Sequence, residues 1–252
     1  MADRSADAQV ALQKASVIAR HFAAKIELLA CDPEHPWAAR SAGQAEAGAR
    51  AAAARRLGSR RFLEALRSSI SADDLQIHAS EDVEGPLHEG VARKVRAGGH
   101  NLVVKRVTRP EGRRRSALTS TDWQLIRCCP VPLMLTRGRS WRPLPRFVAT
   151  LDGARAPAND SAREVLDVAR YLADGCQGAL EIIGDESDLP GVRPDAALAA
   201  IPVPRDIDLV VLRACGRGPA AAGGEVGVAL TEAIVDTLDC DVLLMPHAPR
   251  VR

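Results

Sequence analysis

At 252 residues, with 46% hydrophobic and 26% charged side chains, the chain can bury one or two real cores and is not of disordered composition. Aromatic residues make up only 3%, so Ala, Val, Leu and Ile must fill those cores, which suits parallel sheets covered by helices. The net charge of +2 marks neither a polybasic nor a polyacidic chain, and no apolar run reaches the ~20 residues that span a bilayer. The N-terminus MADRSADAQVALQK lacks the hydrophobic segment of a secretory signal. A cytoplasmic protein without membrane contact is expected.

In chain order, helical spacing of Val10, Ala11, Lys14, Ala15, Val17, Ile18 and Phe22 predicts an amphipathic helix over 8–24. Strand Lys25–Cys31 follows, then a loop with Pro33 and Pro36. A long Ala/Arg helix is expected from about Ala38 to Ser69, interrupted or weakened at Gly58. Leu75–Ser80 alternates as a strand, and Pro86 suits the first turn of a helix running to about Ala97. Then come strand Asn101–Arg106, helix Thr119–Cys128 and strand Val131–Thr136. The arginine-rich stretch Arg137–Arg146, with Pro143 and Pro145, reads as a boundary between domains. Beyond it lie strand Phe147–Leu151, helix Ser161–Asp174, strand Ala179–Ile183, a Pro-rich stretch, strand Ile207–Arg213, a Gly-rich loop, helix Gly227–Leu238 and strand Asp241–Met245. Alternation of strand and helix argues for parallel, doubly wound α/β sheets.

The chain says nearly the same thing twice. NLVVKR (101–106) answers DLVVLR (208–213), KIELL (25–29) answers ALEII (179–183), and TDWQLIRCCPVPLML (121–135) answers TEAIVDTLDCDVLLM (231–245). Such self-similarity implies two copies of one domain, 1–140 and 146–248. The first copy has no counterpart of the opening strand FVATL, and the second lacks room for a helix–strand–helix.

LVVKRVTRPEGRRRSALTSTDWQLIRCCPVPLML (102–135) and FVATLD (147–152) resemble the universal stress protein family in its tandem, two-repeat form. That resemblance implies Rossmann-like sheets, of the adenine nucleotide alpha hydrolase kind, with strand order 3-2-1-4-5 and paired through their last strands. The first repeat would lack strand 1, supplied from upstream or replaced by another segment. The second would lack helix 2, strand 3 and helix 3. Intramolecular pairing of the repeats is thereby expected, along with an unidentified regulatory protein or small ligand as partner.

Nucleotide-binding members of the family carry G-x2-G-x9-G-S/T after strand 4, where glycines let backbone amides approach phosphate at a helix N-terminus. In the first copy those positions read Arg106, Arg109, Thr119 and Ser120, so only Ser120 survives. In the second they read Arg213, Gly216 and Val226, with Gly227 one residue late, and Asp152 matches the family's aspartate beside adenine. The expectation is a degenerate nucleotide site and no bound cofactor, the alternative being an ATP-binding switch built on Asp152, Gly216 and Gly227.

A second candidate is basic. Nine Lys/Arg between Arg93 and Arg115 face a single Glu111, and Arg106, Arg109, Arg113, Arg114 and Arg115 form an anion-binding candidate. Nucleic-acid recognition is not expected, because interleaved aromatics and a recognisable reader fold are missing. The six cysteines and six histidines show no metal-ligand spacing. No nucleophile elbow, zinc-protease or P-loop motif occurs, and adjacent Asp73 and Asp74 point apart, so a non-catalytic protein is expected. Trp123 is read as core packing.

Overall fold

The computed structural model describes residues 1–2, 9–31, 42–70, 74–82, 86–107, 118–150, 160–183, 206–213, 235 and 240–246. The chain divides into two compact units, Met1–Gly99 and His100–Arg252. The stretch read as a domain boundary, Arg137–Arg146, therefore lies inside the second unit.

The first unit contains α1 (Val10–Phe22), β1 (Ile26–Cys31), α2 (Ala42–Ser69), β2 (Ile77–Asp82) and α3 (Leu87–Gly98). β1 and β2 pair in parallel, with Ile26 opposite Ile77 and Leu28 opposite Ala79. This register moves β2 two residues beyond the range expected from alternation, because pairing with β1, not the pattern alone, sets where it ends. Ile26, Leu28 and Ala30 join Leu12 and Ala19 of α1 and Leu63 of α2 in one core. The other face of β1 meets α3, where Lys94 Nζ lies 2.7 Å from Glu27 Oε1. α2 is not interrupted at Gly58: the cost of about 1 kcal/mol for one glycine is outweighed by the packing of Leu63, Phe62 and Leu66 on the core. Ile26 donates its N–H to Gln76, so alternate residues of β1 present their backbone to the side away from β2. There the Ala2 N–H donates to the Leu29 carbonyl at 3.1 Å.

The second unit holds β3 (Val103–Arg106), α4 (Ser120–Cys128), β4 (Leu133–Thr136), β5 (Arg146–Thr150), α5 (Asp160–Gly175), β6 (Ala179–Ile183), β7 (Leu209–Arg213) and β8 (Asp241–Met245). They form one six-stranded sheet in the order β3-β4-β8-β7-β5-β6. Every pairing is parallel except β4 with β8, which is antiparallel. The apolar runs LML and VLLM are buried throughout, as expected for strands covered on both faces. Trp123 is half-buried, and Leu125 and Ile126 on the same helix supply the core contact instead. The expected helix Gly227–Leu238 lies outside the described residues apart from Val235, which is helical and buried.

Two buried aspartates hold the connecting stretch against the amino ends of β8 and β7. Asp241 accepts from the Arg137 N–H and from Trp141 Nε1, each at 2.7 Å. Asp208 accepts from the Arg146 N–H at 2.9 Å, with Arg139 Nη2 3.5 Å and Arg142 Nε 3.6 Å away. Trp141 also sets its ring edge-on to Phe147, centroids 5.5 Å apart. A Pro/Arg-rich stretch that composition marks as a linker is thus fixed at both ends.

Two glycines separate packing from propensity. A Cβ on Gly178 would lie 2.5 Å from the Pro145 carbonyl oxygen and 2.7 Å from Phe147 Cε2, so Gly178→Ala should destabilise the fold by roughly 1–3 kcal/mol. A Cβ on Gly58 meets nothing within 4 Å, and Gly58→Ala in that helix should stabilise by about 0.4–1 kcal/mol. Urea midpoints of the two variants moving in the same direction would contradict this packing.

Candidate functional site

In open parallel sheets, ligands sit outside the carboxyl ends of the strands. Two such places are described here, one after β3 and one after β7. Because β4 and β8 run antiparallel, these ends lie at opposite edges of the sheet, and Arg106 and Arg213 do not share a site.

After β3, Arg106 is half-buried and Ser120 is exposed as the first residue of α4. Thr119 caps that helix: the Asp122 N–H donates to Thr119 Oγ1 at 3.2 Å, while the Thr119 N–H and hydroxyl donate to Asp122 Oδ2 at 2.8 and 2.7 Å. This closed box arises from the T-x-x-D spacing. Lys105, one residue before the end of β3, brings its Nζ to 2.7 Å from Asp122 Oδ1 and donates to the Arg106 carbonyl at 3.0 Å. The Asp122 side chain is only 1% exposed. A helix-terminal amide and an ammonium group, both good donors to anions, here converge on a carboxylate of the chain itself. Asp122 escaped notice in the sequence, although the capping pattern was visible there.

After β7, Arg213 points across the sheet end. Its Nη2 donates to Glu164 Oε2 on α5 at 2.7 Å and its Nη1 to the Pro246 carbonyl just beyond β8 at 3.3 Å. The Arg213 side chain is mostly buried, whereas Glu164 is half exposed. The guanidinium thus bridges α5, β7 and the end of β8. Nothing in the sequence links Arg213 to Glu164, 49 positions apart. Asp152, Gly216 and Gly227, and with them Arg109, Arg113, Arg114 and Arg115, lie outside the described residues.

Other chemistry finds little support among the described residues. Burial pushes the Cys176 thiol up to about 11. Burial also raises Cys129, outweighing a hydrogen bond from the Val131 backbone. Neither is a ready nucleophile at neutral pH. No group of three or more His, Cys, Asp or Glu among the described residues could hold a metal ion, and no described helix is long and apolar enough to cross a membrane.

A profile of the Universal stress protein family matches residues 1–137. Over 53 residues the chain is 34% identical to Universal stress protein E of Escherichia coli (strain K12), a stretch that covers 21% of this chain and 17% of that protein. The match therefore spans a small part of that relative's length. A crystal structure from Pseudomonas aeruginosa UCBPP-PA14, described as a universal stress protein, superposes with a TM-score of 0.63 at 20% identity, covering 96% of this chain and 89% of its own. A universal stress protein from Archaeoglobus fulgidus DSM 4304 gives a TM-score of 0.63 at 11% identity, covering 96% and 93%. At these identities the structures speak for the fold alone.

The two carboxylates should differ in weight. Asp122→Ala leaves the Thr119 N-cap in place but removes the carboxylate half of the capping box and the partner of Lys105, and should lower stability by about 2–3 kcal/mol. Glu164→Gln removes an ion pair with one half-exposed partner and should cost less than about 1 kcal/mol. Chemical denaturation reads both. A loss below ~0.5 kcal/mol for Asp122→Ala would show that the box is not what anchors α4.

Proposed function

This chain belongs to the universal stress protein family, and from that premise we propose that it is a non-catalytic, cytoplasmic stress-response protein whose own carboxylates stand in for a nucleotide's phosphates. The observation that carries this reading is Asp122, seated on the Thr119 amide and on Lys105. A phosphate arriving at α4 would have to displace a buried, doubly held carboxylate, and would meet Arg106 where relatives that bind nucleotide have a glycine. At β7 the side chain of Arg213 similarly occupies a glycine position, its charge directed to Glu164 and away from a ligand. Arg106 and Arg213, at the ends of β3 and β7, support this reading, since a side chain there stands where the family's nucleotide-binding members have glycine.

The strand order supports the duplicated reading. β6-β5-β7-β8 follows the 2-1-4-5 part of a 3-2-1-4-5 sheet, and in the first unit β1 and β2 pair in parallel as strands 2 and 3 of such a sheet would. The antiparallel pairing of β4 with β8 supports a joint between the last strands of the two copies within one chain. The protein then works as a preassembled pair, delivering its response through a protein or small ligand recognised elsewhere on its surface. The rival reading, an adenine-nucleotide switch using Asp152, Gly216 and Gly227, rests on the family motif alone.

Thermal unfolding with and without millimolar Mg-ATP separates the two. A ligand at ~100 times its dissociation constant adds about 2.7 kcal/mol of stability, which is several degrees for a domain of this size. The expected outcome is no change in midpoint and no phosphate release above buffer. A rise of several degrees would establish the switch in place of the degenerate site.

A further inference from the structure

Helix α2 has a committed inner side and an open outer one. Leu63 is buried to 1%, and Phe62 and Leu66 pack on the same core, which fixes the inward direction. At 3.6 residues per turn, Arg56, Arg60 and Arg67 flank the buried Leu63 along one side of the helix and Arg50 and Arg61 lie nearly opposite it, an arc of about 140° over about 25 Å of helix axis. All five are exposed. Glu64 on the same arc is taken up by Arg67 at 2.8 Å. Among the described residues, Arg50, Arg56, Arg60 and Arg61 make no ion pair or hydrogen bond. In a chain whose net charge is only +2, four uncommitted guanidiniums on one rod are a local concentration of charge rather than an average property.

We infer that the outer face of α2 binds the sugar-phosphate backbone of a nucleic-acid duplex without reading its sequence. Guanidinium forks suit phosphate oxygens, and four of them along about 16 Å of helix axis match a polyanion with charges repeated along a rod, about one per 1.7 Å of duplex axis. An anionic membrane fits less well: an interfacial helix needs an apolar face to insert, and that of α2 is spent on its own core, leaving Leu57 alone exposed on the arc. A single strand would want aromatic platforms, and none lies on this face. An acidic protein would want buried anchor residues at the contact centre, which this face also lacks. The absence of a reader fold is no obstacle, since a backbone contact driven by counterion release needs none. The inference is independent of whether the sheet-end sites hold nucleotide.

Fluorescence anisotropy of the full chain with labelled 20-base-pair DNA and RNA duplexes tests it. With about four phosphates neutralised, affinity should fall roughly 100-fold between 50 and 200 mM salt. The triple variant Arg56→Ala, Arg60→Ala, Arg61→Ala should weaken binding at least tenfold and flatten the salt dependence. Alanine favours the helix, so the variant should keep its circular dichroism and melting midpoint. Arg163→Ala with Arg170→Ala, on exposed positions of α5, should change nothing, which separates a local surface from general charge. Binding to either duplex supports the proposal, and the ratio of the two identifies the sugar. Affinity indifferent to the triple variant overturns it. So does binding confined to phosphatidylserine vesicles or to single strands.

Discussion

The antiparallel joint between β4 and β8 governs everything else in the second unit. Leu133 faces Leu244, Met134 faces Leu243 and Leu135 faces Val242, and all six are buried. β4 is paired on both sides, with β3 in parallel and β8 in reverse. Without the joint, two buried apolar strands would each end a sheet and present unpaired backbone to solvent. With it, the six described strands of the second unit form one sheet, with β3 and β6 at its margins. The same reversal sends the carboxyl ends of β3 and β7 to opposite edges. It also brings the start of the connecting stretch beside the amino end of β8, where Asp241 receives the Arg137 amide.

Charge then follows geometry. Three buried aspartates, Asp122, Asp208 and Asp241, each accept from a backbone N–H and lie beside, or bond to, a side-chain donor. A carboxylate so placed is costly to desolvate and is stabilised only by the set of donors converging on it. The consequence differs by position. At the amino ends of β7 and β8 the carboxylates tie down the connection. At the start of α4 the carboxylate ties the helix N-terminus to Lys105 at the end of β3.

Much of this was legible in the residues. Apolar hexamers located the strands, the repeat of NLVVKR in DLVVLR located equivalent positions, and strand β6 and strand β8 fall where alternation and length place them. Strand ends were less legible, as β2 shows, because register belongs to the partner strand. Side-chain anchors were least so. Asp208 and Asp241 look like ordinary strand starts, and only the topology reveals that a segment some 62 to 104 positions away supplies their donors. Arg213 and Glu164 meet for the same reason. Thr119 and Asp122 were the exception: their spacing is local, and a capping box can be read without a structure.

Native-state hydrogen exchange across β4 and β8 tests the joint most directly. If the two strands form one cooperative core, the Met134 and Leu243 amides should exchange only through global unfolding, with equal opening free energies and the same denaturant dependence. Met134 exchanging through a smaller opening while Leu243 remains protected would mean that β4 separates on its own, and the single six-stranded sheet would not describe the protein in solution.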